Sequence, residues 1–139
     1  MFSRNAMSLL GLLIAAMLGL LPVASAQAAD GTWNTTTTGL LWGTAANWLG
    51  STIADGSDAT ANFNTLNITS DTTVHLDTAR TIGNLIFGDT TASNGWILDN
   101  NAVAANILTL AGATPTITVN NLGSGKTASI TGVIAGTSA

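Results

Sequence analysis

Apolar and polar side chains alternate along much of this chain in short runs, the two-residue period of a strand with one covered face. In residues 107–110, Leu108 and Leu110 fall on one side, Ile107 and Thr109 on the other. Ile117 and Val119 share a face opposite Thr116 and Thr118. Farther on, Ile130, Gly132 and Ile134 alternate with Ser129, Thr131 and Val133. The pattern predicts strands over residues 59–63, 67–69, 73–76, 81–87, 96–98, 107–110, 116–119 and 128–134. β-Branched residues and Gly dominate these stretches, which suits strands and turns rather than helix. The one helix-like run, residues 102–105, is too short and lies between Asn-rich turns.

Turn chemistry separates the runs. Asp71-Thr72, Asp77-Thr78, Gly88-Asp89, Asp99-Asn100-Asn101 and Gly123-Ser124-Gly125 tolerate positive φ or bond their own backbone, and Asn94-Gly95 suits a tight two-residue turn. Pro115 precedes a strand, where its missing donor does no harm. From Val74 onward the strand centres recur about every 10 to 13 residues, as in a β-sandwich, a barrel or a solenoid. Small strands, even spacing and Thr- and Asn-rich turns favour the solenoid. The expected fold is therefore all-β, a partial right-handed parallel β-helix over residues 51–139, with a β-sandwich as the alternative.

Residues 29–50 break this monotony. They hold Trp33, Trp42 and Trp48 and the Thr run 35–38, and are expected to form a Trp-rich cap over the first coil. The carboxy-terminal stretch, residues 132–139, carries no charge, Pro or helix that would cover an edge. An open solenoid end templates association. The expectation is a truncated segment, or a neighbour on that edge, with self-association as one route.

The first 28 residues differ again. Arg4 is followed by an apolar run of about 13 residues from Leu9 to Leu21, then Pro22 and the small-x-small pattern Ala24-Ser25-Ala26. The pattern repeats at Ala26-Gln27-Ala28. A membrane span needs about 20 apolar residues. Residues 1–28 are expected to be a signal peptide cut after Ala26 or Ala28, which makes the mature chain secreted or cell-surface, with no membrane insertion after the signal is removed.

Charge and composition narrow the function. Charged residues are 7% of the chain. Without Arg4, only Arg80 and Lys126 face seven Asp. Two cations cannot neutralise a phosphate backbone, so nucleic acid is excluded as a partner. Cys is absent, which removes disulfides and thiolate metal sites. The fold must rest on burial and backbone hydrogen bonds.

Candidate chemistry is sparse. Gly123-Ser124-Gly125-Lys126-Thr127 has the tail of a phosphate loop, but Asn120 stands where the first Gly belongs and no helix is predicted after it. It reads as a turn. His75 is the one imidazole; with no nucleophile elbow or co-ligands it reads as structural, with a local hydrogen bond expected to Asp77 on the same strand face. Asp55, Asp58, Asp71, Asp77, Asp89 and Asp99 all sit in turn contexts, where capping accounts for them without glycoside hydrolysis or calcium binding. Asn34 and Asn67 match the glycosylation pattern by chance. No catalytic, cofactor or metal residue is assigned, and no cofactor is expected. Trp33, Trp42 and Trp48 have two readings: an aromatic plug, or indole faces stacking on sugar rings. Trp96 belongs to the same set.

Trp33, Trp42, Asn47-Trp48, Ala61-Asn62-Phe63 and residues 80–87 (Arg-Thr-Ile-Gly-Asn-Leu-Ile-Phe) together resemble the opening of autotransporter-associated β-strand repeat proteins. Residues 107–110, 117–119 and 130–136 continue the resemblance through nearly the whole mature chain. It implies a bacterial surface or secreted polypeptide with a right-handed β-helix passenger. Such proteins usually continue into many Gly-rich repeats, and some end in an outer-membrane barrel or a sorting signal; the 139 residues include none of these, which fits the expectation of a fragment. The function expected is structural or adhesive: a stiff rod whose Thr- and Asn-rich faces meet other surfaces or extracellular polysaccharide. The alternatives are a carbohydrate-binding module using the Trp cluster and a non-catalytic part of a polysaccharide-degrading enzyme.

Overall fold

The computed structural model describes residues 27–138; the bulk of the expected signal peptide, residues 1–26, lies outside them. The described chain is a parallel β-solenoid of about four turns, and a sandwich is not favoured. Each of the first three turns places one strand in each of two sheets, and the fourth places two in the first sheet and one in the second. The first sheet runs β1 (Gly31–Thr32), β3 (Gly56–Phe63), β5 (Arg80–Phe87), β7 (Leu108–Gly112) and β10 (Ile134–Ser138), with β8 (Thr116–Val119) also on β5. The second runs β2 (Leu40–Leu41), β4 (Thr72–His75), β6 (Trp96–Asp99) and β9 (Ala128–Ile130). All these pairings are parallel.

Successive turns differ in length. Asp30 and Thr60 bond at a separation of 30 residues, Asp71 and Gly95 at 24, Asn84 and Thr116 at 32. The step from the second turn to the third, onto β5 and β6, is the shortest, and the neighbours of β5 bulge past it. The register of β3 on β5 slips between Gly56 and Thr60. On the other side, residues between β7 and β8 loop out, so Ile82 faces Leu110 while Asn84 faces Thr116.

Stacking in register turns the period-two pattern into columns. Inward, Ala61, Leu85 and Ile117 form one column, and Phe63, Phe87 and Val119 another. In the second sheet Leu40, Val74, Leu98 and Ile130 stack, beside Thr72, Trp96 and Ala128. Phe63 is the hub. Its ring lies 5.3 Å from Phe87, nearly parallel, and 5.4–5.7 Å from Trp33, Trp42, Trp48 and Trp96. Each large side chain so buried contributes roughly 1.5–3 kcal/mol, and each aromatic pair about 0.5–1.5 more.

Several local expectations change. Residues 67–69 form no strand; Ile68 is buried in the connection between β3 and β4. The predicted strand 128–134 divides into β9 and β10, because the chain must turn there from the second sheet to the first. Asn94-Gly95 joins strands of different sheets rather than forming a hairpin. The Trp-rich segment contains β1, β2 and two short 3-10 turns, Ala45–Asn47 and Leu49–Ser51. From Trp48, between these turns, the chain runs back antiparallel to the residues flanking β1, bridging Trp48 to Trp33 and Asp55 to Ala29.

Candidate functional site

The three Trp singled out from the sequence come together, but inside the coil. Trp33 and Trp42 have no exposed surface and Trp48 is 2% exposed. Their rings pack edge to face, with Trp48 centred 5.1 Å from Trp33 and 5.0 Å from Trp42. Two of the indole N–H groups are spent on backbone: Trp42 donates to the Ala54 carbonyl and Trp48 to that of Trp42. Trp96 is equally buried and donates to Gly88. No indole face among them is free to lie on a sugar ring.

His75 is not bonded to Asp77. Its Nδ1 meets Asp99 Oδ1 at 2.5 Å. The reason is geometric: residues two apart on a strand are separated by roughly 6.6 Å, whereas the next coil lies about 4.8 Å away. His75 and Asp99 occupy the same register position on β4 and β6. Asp77 instead accepts from the Gly43 amide and the Arg80 guanidinium, whose other arm reaches Asp55 at 3.1 Å. Asp55 also accepts from the Thr81 amide.

The carboxylates thus act between coils more than within turns. Asp30 takes the Thr60 amide, Asp71 the Gly95 amide and Asp58 the Ala113 amide. Only Asp89 and Asp99 bond amides in their own turns, Asp89 also reaching Ile68. Lys126, in the connection before β9, clasps Asp71 through both carboxylate oxygens at 2.9 Å, and this bond, with the Gly95 amide, holds the Asp71 carboxyl below its ordinary pKa. Among the described residues no group of three His or acidic side chains is placed to hold a metal ion.

What faces outward is polar and repetitive. Thr60, Asn84 and Thr116 stack on the first sheet, the Thr116 hydroxyl donating to Asn84 at 2.8 Å, and Asn62, Ile86 and Thr118 stack beside them. On the second sheet Thr73, Ile97 and Ser129 form the outer column. A shallow groove of about 350 Å³ lies on this sheet, lined by Asp71, Ile97, Lys126, Ser129 and Thr131 among others. The groove could not be found from sequence, because Asp71 and Lys126 are 55 residues apart and the intervening coils have unequal lengths. Its chemistry is the hydroxyls of Thr127, Ser129 and Thr131 beside one paired cation and carboxylate, with Ile97 among them.

Comparison with protein-family models, curated proteins and solved structures gave no match. Among the described residues no helix is long and apolar enough to cross a membrane.

Proposed function

We propose that this chain is a structural or adhesive surface segment: a β-helix passenger exported by its first 28 residues, whose outer faces make contact with extracellular material. The observation that carries the reading is the registered stacking of outward Thr, Asn and Ser on both sheets. Along the Thr60, Asn84 and Thr116 column, hydroxyl and amide groups recur at the coil spacing of about 4.8 Å, while in the neighbouring columns Ile86 and Ile97 lie between polar residues. Many weak contacts in a row then act together, so affinity comes from repetition instead of from one deep site. The leader-like segment and the resemblance to autotransporter-associated repeats support the same reading. It assigns no catalysis to this chain, and extracellular polysaccharide is the contact it favours.

Two measurements test it. Residues 1–28 fused to a phosphatase that folds only outside the cytoplasm should give active enzyme beyond the inner membrane; cytoplasmic retention would remove the export half of the proposal. The purified chain, mixed with insoluble cellulose, chitin or peptidoglycan, should sediment with at least one of them. Combined Thr60→Ala, Asn84→Ala and Thr116→Ala substitutions should lower that retention about tenfold or more, with thermal unfolding followed in parallel to separate lost contacts from lost fold. No retention on any of the three polymers would retire the adhesive half. Polysaccharide turnover abolished by one Asp→Asn change would replace it with an enzyme.

A further inference from the structure

Asn94-Gly95 is the one Asn-Gly pair in the chain, and the fold fixes both members. A Cβ at Gly95 would lie 2.4 Å from the Thr127 carbonyl oxygen, so the stacked coil holds a glycine there. Asn94 serves as a donor: its Nδ2 donates to the Ile68 carbonyl at 2.7 Å and to the Ser93 hydroxyl at 2.9 Å. An ionised Asp could not donate to that carbonyl. It would also be repelled by the Asp89 carboxylate, which accepts from the Asn94 backbone amide at 3.0 Å.

The pair is chemically the least durable of Asn dipeptides. With no Cβ on the following residue, its backbone nitrogen reaches the Asn side-chain carbonyl carbon freely. The nitrogen attacks that carbon, a C–N bond forms, the bond to Nδ2 breaks, and ammonia leaves carrying the amide proton. Water then opens the remaining succinimide ring to Asp or to isoaspartate. In the folded coil two bonds oppose the attack. The Gly95 N–H is held by Asp71 Oδ1 at 2.8 Å, and the leaving nitrogen is anchored on Ile68. The Gly95 carbonyl accepts from the Thr72 amide at 3.0 Å, so the attacking residue is gripped on both sides. Burial is not the shield, since Asn94 is only half-buried.

We infer that Asn94 is a spontaneous deamidation site gated by the Asp71 carboxylate: slow to react in the folded coil and fast whenever this corner opens. The product does not fit back. An Asp at position 94 loses the bond to Ile68 and sets a second carboxylate beside Asp89. Isoaspartate adds a main-chain carbon directly ahead of Trp96, whose ring is wholly buried and whose amide donates to Thr127. Each opening is therefore a chance of one-way exit from the folded state, which places a chemical lifetime on the third turn.

Peptide mapping by mass spectrometry reads the site directly. At neutral pH the chain unfolded in guanidinium chloride should convert Asn94 at least about tenfold faster than the native chain, the ratio expected if the corner is open in no more than about a tenth of native molecules. Asp71→Ala, which frees the Gly95 amide, should raise the native rate towards the unfolded one. Lys126→Ala, which removes the ion pair but leaves the bond from Gly95 to Asp71, should not. If Asp71→Ala does not fold, the wild type in sub-denaturing guanidinium chloride takes its place: conversion should rise in step with hydrogen exchange of the Gly95 amide. Asn94→Asp should refold with a lower denaturation midpoint. Equal rates in the native and unfolded chains, conversion indifferent to Asp71→Ala or unrelated to Gly95 exchange, an equal rise with Lys126→Ala, or an Asn94→Asp chain as stable as the wild type would each overturn the inference.

Discussion

Asp89 concentrates more local order than any sequence motif announced. It is 3% exposed, and its carboxylate accepts from the backbone amides of Ile68, Thr91, Ser93 and Asn94 and from the Ser93 hydroxyl. Burial by itself would push its pKa up, but the Ser93, Asn94 and Thr91 donors outweigh burial and hold it at about 2. The folded value lies below that of an unfolded Asp, about 3.9. The stabilisation is therefore present above about pH 4 and is lost as pH falls towards 2. Asp89→Ala should cost about 1–3 kcal/mol at neutral pH, from amides left without an acceptor. In urea unfolding, the gap between wild type and Asp89→Asn should narrow as pH drops from 4 to 2; a gap independent of pH would show that the charge does not matter.

At the scale of strands and their connections, the third turn works by omission. Asp58, in the bulge of β3, passes over Gly83 to reach the Ala113 amide two turns along. A Cβ at Gly83 would stand 2.4 Å from the Asp58 Cα. Gly95 plays the same part at another corner, where Asp71 reaches Lys126 and a Cβ would meet the Thr127 carbonyl oxygen at 2.4 Å. Gly83→Ala should therefore force the backbones apart and destabilise by about 1–3 kcal/mol. An unchanged urea midpoint would mean the bulge can yield freely. These corners also explain what the sequence could disclose. Strands such as Arg80–Phe87 and Thr116–Val119 were legible because alternation is local. The solenoid was legible too, in its short strands and Thr- and Asn-rich turns, but the register of its coils was not, because the even strand spacing hides two strands per turn and coils of unequal length. Hence the pairing of His75 with Asp99, and the groove beside Lys126, depended on register that no short-range pattern encodes. Ile68 was misread as strand since a single buried aliphatic in a connection looks the same as one on a face.

For the whole molecule, the distribution of bulk matters more than its total. Phe63, Phe87 and all four Trp lie within the first three turns, whereas the fourth presents Ile117 and Val119 to solvent. Stability in a solenoid is set by each coil and its nearest neighbours, so it should decline from the aromatic hub towards the fourth turn. Trp48→Ala, which empties the aromatic cluster, should cost about 3–5 kcal/mol by thermal or urea unfolding, whereas Val119→Ala, already half exposed, should cost well under about 1 kcal/mol. Hydrogen exchange reads the same gradient without mutation. In dilute protein the amides of β3 and β5 should exchange most slowly and those of β8 and β9 fastest, since local opening follows burial and pairing. Uniform protection along the chain would instead mean that the coils unfold as one unit with no weak end.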